Sequence, residues 1–354
     1  MTEARGPGSV TSPQEVVAVR AMVLEDPGPI ESGAVHVGVL PDPRPGHGQV
    51  VLEVAACGVC RSNLHMVEGD WVRYGVPAFT PIVPGHEVVG RVVELGEGVT
   101  GLRVGDRVGV QPLWSTCGRC PYCLTGRDQL CQSKQITGET VHGGYAPYML
   151  ATAAHVHPVP DAIGDAEAAP LFCPGITAYN AVSKADLRPG SAVALFGMGG
   201  VGHMVVQFAA LTGADVYGVS RATEHLELAE ELGARPVAAS DAVTVLTGHG
   251  GMDACIVFAP SDEALRQAVA VTRPGGTIVL GVHAQVGELP FDQEKRIVGS
   301  VIGSRQQMRD VLQLAAAGKV RAVCERFPMD EAAEALTRLK RGEVRARAVL
   351  VRSE

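Results

Sequence analysis

From Val16 to about His157 the apolar residues come in short runs, interrupted every few positions by glycine and proline. "VVAVRAMVL", "QVVLEVAACG", "HEVVGRVVELG" and "GDRVGVQPL" are rich in valine. Turn sequences such as "PRPGHG" and "LGEGVTGLRVGD" bound them. Runs of this kind read as β-strands, and their close spacing predicts an all-β, barrel-like unit. The pattern changes near Pro174. "SAVALFG" suits a buried strand, and "VGHMVVQFAALTGA" carries apolar residues with helical period up to Gly213. "DVYGVS" is a second strand, and "ATEHLELAEELGA" a second helix with its own glycine terminator. "DACIVFAP", "EALRQAVAVTRPGG" and "TIVLGV" continue the alternation. Strands alternating with helices predict βαβ units around a parallel sheet. After Ser304, "QQMRDVLQLAAAG" and "MDEAAEALTRLKRG" are amphipathic helices and "RAVLV" is a closing strand. Residues 1–15, "MTEARGPGSVTSPQE", read as a flexible polar tail.

Composition narrows the function classes. The 354 residues are enough for two domains at roughly 100–200 residues each. A net charge of −8 disfavours a nucleic-acid binder, which carries a basic face. No apolar run approaches the roughly 18 residues of a membrane span. The first residues hold no apolar core of a secretory signal, so a reducing cytoplasm is expected. Nine cysteines there are more apt to bind metal or do chemistry than to form disulfides.

"LFGMGGVGHM" places Gly197, Gly199 and Gly202 in the spacing G-x-G-x-x-G, with Gly200 and Val201 completing the loop. It follows a predicted strand and opens a predicted helix, the context of a dinucleotide site. There the glycines let a pyrophosphate approach the backbone and the helix N-terminus offers N–H donors. An NAD enzyme usually carries Asp or Glu at the end of the next strand, to bond the ribose 2′-hydroxyl. This chain has Ser220 and then Arg221. A carboxylate repels a 2′-phosphate, whereas a hydroxyl and a guanidinium bind it, which favours NADP(H) over NAD(H). The competing reading makes Arg221 a solvated loop residue stacking on adenine, with NAD accepted.

Four cysteines, Cys117, Cys120, Cys123 and Cys131, sit in "LWSTCGRCPYCLTGRDQLC". Repeated C-x-x-C steps in a cytosolic chain read as zinc ligands, and four thiolates close the tetrahedral shell, so this is a structural site. Disulfides and a nucleic-acid zinc ribbon are the rivals. Compartment opposes the first; charge and the confinement to one loop oppose the second. A second set of potential ligands is scattered through "ACGVCRSNLH", "VPGHEVVG" and "LFCPGITAY". A catalytic zinc needs three protein ligands and an open position, but spacing alone cannot group residues so far apart.

Taken together, "CGVCRSNLHMVEGDW", "GHEVVGRVVELGEGV", "GDRVG", "CGRCPYCLTGRDQLC", "GGYAPY", "CPGITAY" and "GMGGVGH" resemble the zinc-dependent medium-chain alcohol dehydrogenases, from about Val19 to the C-terminus. The resemblance implies an α/β chain. Its GroES-like β-barrel catalytic domain would span 16–173 and 304–354, and its Rossmann-fold cofactor domain 174–303, with a cleft between them. It implies Cys60, His86 and Cys173 as catalytic zinc ligands, with Glu87 as a nearby carboxylate able to join them. Cys57 is expected in the core. Ser62 corresponds to the hydroxyl that bonds the substrate oxygen and starts a proton relay, and His65 to its continuation. Arg61 and Arg347 look like pyrophosphate contacts. Trp71 and Trp114 fall where the family places pocket-lining side chains, though a core role suits each.

Three residues depart from the family pattern. Asn63 stands where an Asp near the catalytic metal is usual, Ser220 replaces the acidic cofactor residue, and Ala346 replaces a glycine beside Arg347. The expected activity is hydride transfer between a small-molecule alcohol and its aldehyde or ketone, with one catalytic and one structural zinc and no nucleic-acid or membrane partner. Two rivals are a medium-chain reductase of activated C=C or C=N bonds and a non-catalytic nucleotide-binding scaffold. The family expectation for assembly is a homodimer or homotetramer, with "GGTIVLGV" as the subunit edge.

Overall fold

The computed structural model describes residues 18–352. The predicted tail at 1–15 lies outside the described residues. Two sheets dominate.

The first is a largely antiparallel sheet. Its central strand, Gln49–Gly58, is buried along most of its length. Val88–Leu95 and Arg107–Val110 extend the sheet on one side, with Val156–Pro158 at its far end. Tyr148–Thr152 also pairs with the central strand. On the other side lies Arg347–Val351, with Val349 opposite Gly58, and beyond it Cys324–Pro328. The chain's end is therefore a neighbour of the segment that leads into Cys60. The central strand matches the predicted "QVVLEVAACG" from end to end.

The second sheet is parallel and six-stranded. Its order is Arg235–Ala238, Asp215–Ser220, Ala192–Phe196, Met252–Val257, Thr272–Leu280 and Arg296–Gly299. The strand order reverses at Ala192–Phe196, which places a ligand crevice beyond its carboxyl end. Helices Gly202–Leu211, Thr223–Glu231, Ala242–Gly248 and Asp262–Val271 make the crossovers. Val193, Leu195 and Ile256 are buried on one face against Met204 and Val205. Phe196, Val219 and Val257 face the opposite core with Leu246 and Leu265.

One expectation is corrected. "GGTIVLGV" is not a sheet edge, because Thr277–Leu280 is paired on both sides, with Met252–Val257 and with Arg296–Gly299. The outer strand is Arg296–Gly299, "RIVG", too short and too charged at its start to stand out by period.

The first sheet buries titratable groups that carry a pH signature. His157, on the outer strand Val156–Pro158, is 4% exposed and packs near Phe172, with its Nε2 unpartnered. Burial, aided by the guanidinium groups of Arg309 and Arg305, pushes its pKa down to about 3. The unfolded chain thus binds one more proton than the fold between about pH 6.5 and about pH 3. Stability falls as pH falls through that window and is untouched by this group above it. We expect His157→Leu to flatten the acid limb of the stability profile by up to one proton, about 1.4 kcal/mol per pH unit. Denaturant titrations of both proteins between pH 7 and 4 check this. Parallel profiles would show that His157 is protonated equally in both states.

Candidate active site

Cys60, His86, Glu87 and Cys173 come from three distant segments and converge with all four donor atoms within 4.8 Å of one another. Cys60 sits where the central strand gives way to the helix Arg61–Val67. His86 and Glu87 precede Val88–Leu95, and Cys173 joins a short 3₁₀ turn to the helix Pro174–Lys184. Pairing of Gln49–Gly58 with Val88–Leu95 brings the first two segments together. A side chain at Gly58 would collide with the Glu87 carboxylate, which explains a glycine three residues before Arg61.

The residues fit a zinc ion. Cys60 Sγ and Cys173 Sγ are 3.8 Å apart. Tetrahedral zinc with Zn–S of about 2.3 Å separates its sulfur ligands by roughly 3.8 Å. The Cys173 thiol beside it lowers the Cys60 pKa well below the usual range, helped by Arg347 and His86 and opposed by burial. The same contact raises Cys173. Cys57, by contrast, is fully buried, and burial raises its thiol far above the usual range, as a core residue should.

Arg347 lies beneath this cluster. Its Nε donates to Glu87 Oε2 at 3.1 Å and its Nη2 to Oε1. Both side chains are almost entirely buried. Burial pushes the Glu87 carboxyl up to about 7, against the pull of Arg347. Burial opposes the charge on Arg347 most strongly, but Glu87, Cys60 and Cys173 together outweigh it and hold the guanidinium charged. A Cβ on Gly200 would lie 2.7 Å from Arg347 Nη1, so this guanidinium also touches the glycine loop.

That loop has a dinucleotide-binding shape. Gly197 has φ +105° and Gly202 packs its Cα against the Gly197 carbonyl, so neither tolerates a side chain. A Cβ on Gly199 would meet nothing within 4 Å, which leaves its backbone open to a ligand. Val201 precedes the helix that Gly202 opens. At the end of the next strand Ser220 is 8% exposed, 3.4 Å from His225 Nδ1, and accepts from Ala222 N at 3.3 Å. Arg221 is exposed.

On the helix after Cys60, Ser62 Oγ lies 3.4 Å from His86 Nε2, beside the metal cluster. His65 Nδ1 bonds Asp70 Oδ2 at 2.6 Å and stacks on Trp71, with ring centroids 5.5 Å apart. No direct hydrogen bond joins Ser62 to His65 among the described residues. Arg61 donates through Nη2 to Leu339 O.

The second cluster, Cys117, Cys120, Cys123 and Cys131, also has its sulfurs within 4.8 Å. Cys117 Sγ–Cys123 Sγ is 3.9 Å and Cys120 Sγ–Cys123 Sγ 3.5 Å, again near the tetrahedral spacing. Backbone N–H groups of Arg119 and Cys120 pull the Cys117 thiol down to about 6. Asp128, buried within this lobe, is bonded by Arg305 Nε at 2.8 Å, and Arg305 also reaches Ala154 O. The lobe is thus tied to the first turn of the helix Arg305–Ala316. Trp114 precedes it, half-buried, its Nε1 donating to Leu150 O.

Two participants have no role assigned from the sequence: Tyr145, although it lies within "GGYAPY", and Glu139, which lies in no motif. Tyr145 is fully buried and donates its hydroxyl to Asn63 Oδ1 at 3.3 Å. Glu139 lies 3.8 Å from His86 Nδ1. Each meets its partner only through tertiary packing.

The chain matches the family models for the alcohol dehydrogenase GroES-like domain over residues 46–161 and the zinc-binding dehydrogenase over residues 200–317. An alcohol dehydrogenase of Geobacillus stearothermophilus is 40% identical over 317 residues, covering 87% of this chain and 93% of that protein. One from Rhizobium meliloti is 40% identical over 321 residues, covering 88% and 93%. The crystal structure of the alcohol dehydrogenase from Aeropyrum pernix superimposes with a TM-score of 0.87 at 32% identity, covering 94% of this chain and all of that one.

Proposed function

Since this chain belongs to the zinc-containing medium-chain alcohol dehydrogenases, built from a GroES-like domain and a Rossmann-like parallel sheet, we propose that it interconverts a small alcohol and its aldehyde or ketone using NADP(H). It is a zinc-dependent enzyme with two zinc sites and a nicotinamide cofactor. The observation that carries the site assignment is the convergence of Cys60, His86, Glu87 and Cys173 in one buried cluster beside the Ser62 hydroxyl. We assign the catalytic domain to 16–173 and 304–354, and the cofactor domain to 174–303.

Cys60, His86 and Cys173 would hold the catalytic zinc, with Glu87 as a reserve ligand; the second cluster would hold the structural one. When bound, zinc supplies a Lewis acid for the substrate oxygen, and the nicotinamide exchanges hydride with the substrate carbon. In oxidation, Ser62 would take the hydroxyl proton while passing its own to an intervening hydroxyl or water, and His65, a third exposed and oriented by Asp70, would accept it from there and release it towards solvent. In reduction the same groups return it. Arg347, in contact with Gly200, and Arg61 would neutralise the pyrophosphate, while Gly199 lets it approach the backbone. Trp71 and Trp114 would wall the substrate site. The assembly proposed is a homodimer or homotetramer in the cytoplasm.

Among the described residues no helix is long and apolar enough to cross a membrane. NADP(H) is favoured because a hydroxyl, not a carboxylate, closes the second strand of the parallel sheet, with the exposed Arg221 beside it. Ser220→Asp should shift the ratio of kcat/KM for NADP to that for NAD towards NAD by about tenfold or more, the effect of roughly 1.4 kcal/mol. Initial rates with both cofactors measure this, and an unchanged ratio would remove the basis for NADP(H).

A further inference from the structure

His86 has two ring nitrogens with different fates. Nε2 faces the Ser62 hydroxyl and the metal cluster. Nδ1 is buried and makes no hydrogen bond within the described residues. An imidazole that ligates through one nitrogen needs its other N–H oriented, and a carboxylate or carbonyl is the usual partner. Asn63 does not serve. Its Oδ1 accepts from Cys60 N and from the Tyr145 hydroxyl, both at 3.3 Å. Its Nδ2 is itself buried without a partner.

The carboxylate that faces Nδ1 is Glu139. Its Oε1 lies 3.8 Å away, in ion-pair range and slightly beyond a hydrogen bond, and its side chain is 14% exposed. No other cation or hydrogen-bond donor pairs with that carboxylate among the described residues. Its backbone is well anchored. Glu139 N donates to Ile136 O, and Glu139 O accepts from Ala78 N at 2.9 Å. The preceding Gly138, at φ +71°, packs directly on the Gly85 backbone, where a Cβ would sit 2.7 Å from Gly85 N. The turn is thus fixed against the segment that carries His86.

We propose that Glu139 is the positioning residue of the catalytic metal site, accepting the Nδ1–H of His86 and so fixing the tautomer that turns the Nε2 lone pair towards the zinc. The charge this site lacks at Asn63 is supplied from a different strand connection. The proposal rests on His86 being a zinc ligand.

Zinc retention tests it. The wild type, Glu139→Gln, Glu139→Ala and His86→Ala proteins are loaded with zinc and challenged with a chelator, and bound zinc is followed over time. The tetracysteine zinc serves as the internal control for folding. Glu139→Gln preserves shape and removes charge, so a purely structural Glu139 predicts wild-type retention. The positioning role predicts a 10–100-fold weaker hold on one of the two zinc ions, with Glu139→Ala at least as weak and the other zinc unaffected. A cobalt-substituted Glu139→Gln protein should also show shifted visible ligand-field bands. Wild-type retention and an unchanged cobalt spectrum in both Glu139 variants would overturn the proposal. If His86→Ala also keeps two zinc ions per chain, the ligand assignment itself is what fails.

Discussion

Cys60→Ala should leave a folded protein with one zinc per chain instead of two and with turnover reduced by roughly 10³-fold or more. The magnitude follows from the Lewis acid, worth several kcal/mol at the transition state, with each 1.36 kcal/mol a factor of ten in rate. The fold should survive because Cys60 lies two residues beyond the strand Gln49–Gly58, whose pairing with Val88–Leu95 and Arg347–Val351 is made by the backbone. The Cys60 thiol is also the one whose pKa is lowered in the cluster, by Cys173 first and by Arg347 and His86, while Cys173 is raised by the same contact. Losing it leaves the site without its most acidic sulfur. Cys57→Ala, three residues earlier, is the control. That thiol is packed in the core, so its loss should cost stability but neither zinc. Metal analysis, circular dichroism and steady-state rates on the two variants separate the cases. A Cys60→Ala enzyme with two zinc ions and near-normal turnover would show that the reactive metal is bound elsewhere.

The legible part of this site was the part written in local patterns. The glycine loop, the four clustered cysteines and the long valine-rich strand each carry their spacing in one stretch of chain, and each appears where the pattern puts it. The catalytic donors are different. Cys60 and Cys173 are 113 residues apart, and only the resemblance to a known family could group them before their sulfurs were seen at 3.8 Å. Glu139 lies further out of reach. It sits in a turn with no motif, and nothing in "QITGETVHGG" marks that carboxylate as facing His86. Its position depends on Gly138 resting against Gly85, a contact between two loops. Short elements failed for a related reason. Arg296–Gly299 and Cys324–Pro328 hold four and five residues, too few for a period to show, and pairing with neighbours makes them strands.

Arg347→Ala should destabilise the protein by about 3–5 kcal/mol, the cost of removing one partner from a buried ion pair. Arg347 was expected at the cofactor, yet its guanidinium forks onto Glu87 inside the metal cluster and touches Gly200 of the glycine loop with the same group. It is a cation placed between two anionic demands, the carboxylate and thiolate on one side and the nucleotide loop on the other. Without it, Glu87 remains fully buried against a negative Cys60, and burial already pushes that carboxyl up to about 7 with the guanidinium in place. The double variant Glu87→Gln/Arg347→Ala removes the stranded charge and should recover much of the loss. Arg347→Lys keeps a charge but not the fork, so it should fall between. Denaturant unfolding of the four proteins gives the stabilities, and the KM for the cofactor should rise in every variant lacking Arg347. A single-variant loss under about 1 kcal/mol would place Glu87 in the fold as a neutral acid. A full loss that Glu87→Gln does not relieve would assign the energy to packing of the arginine stem against the glycine loop instead.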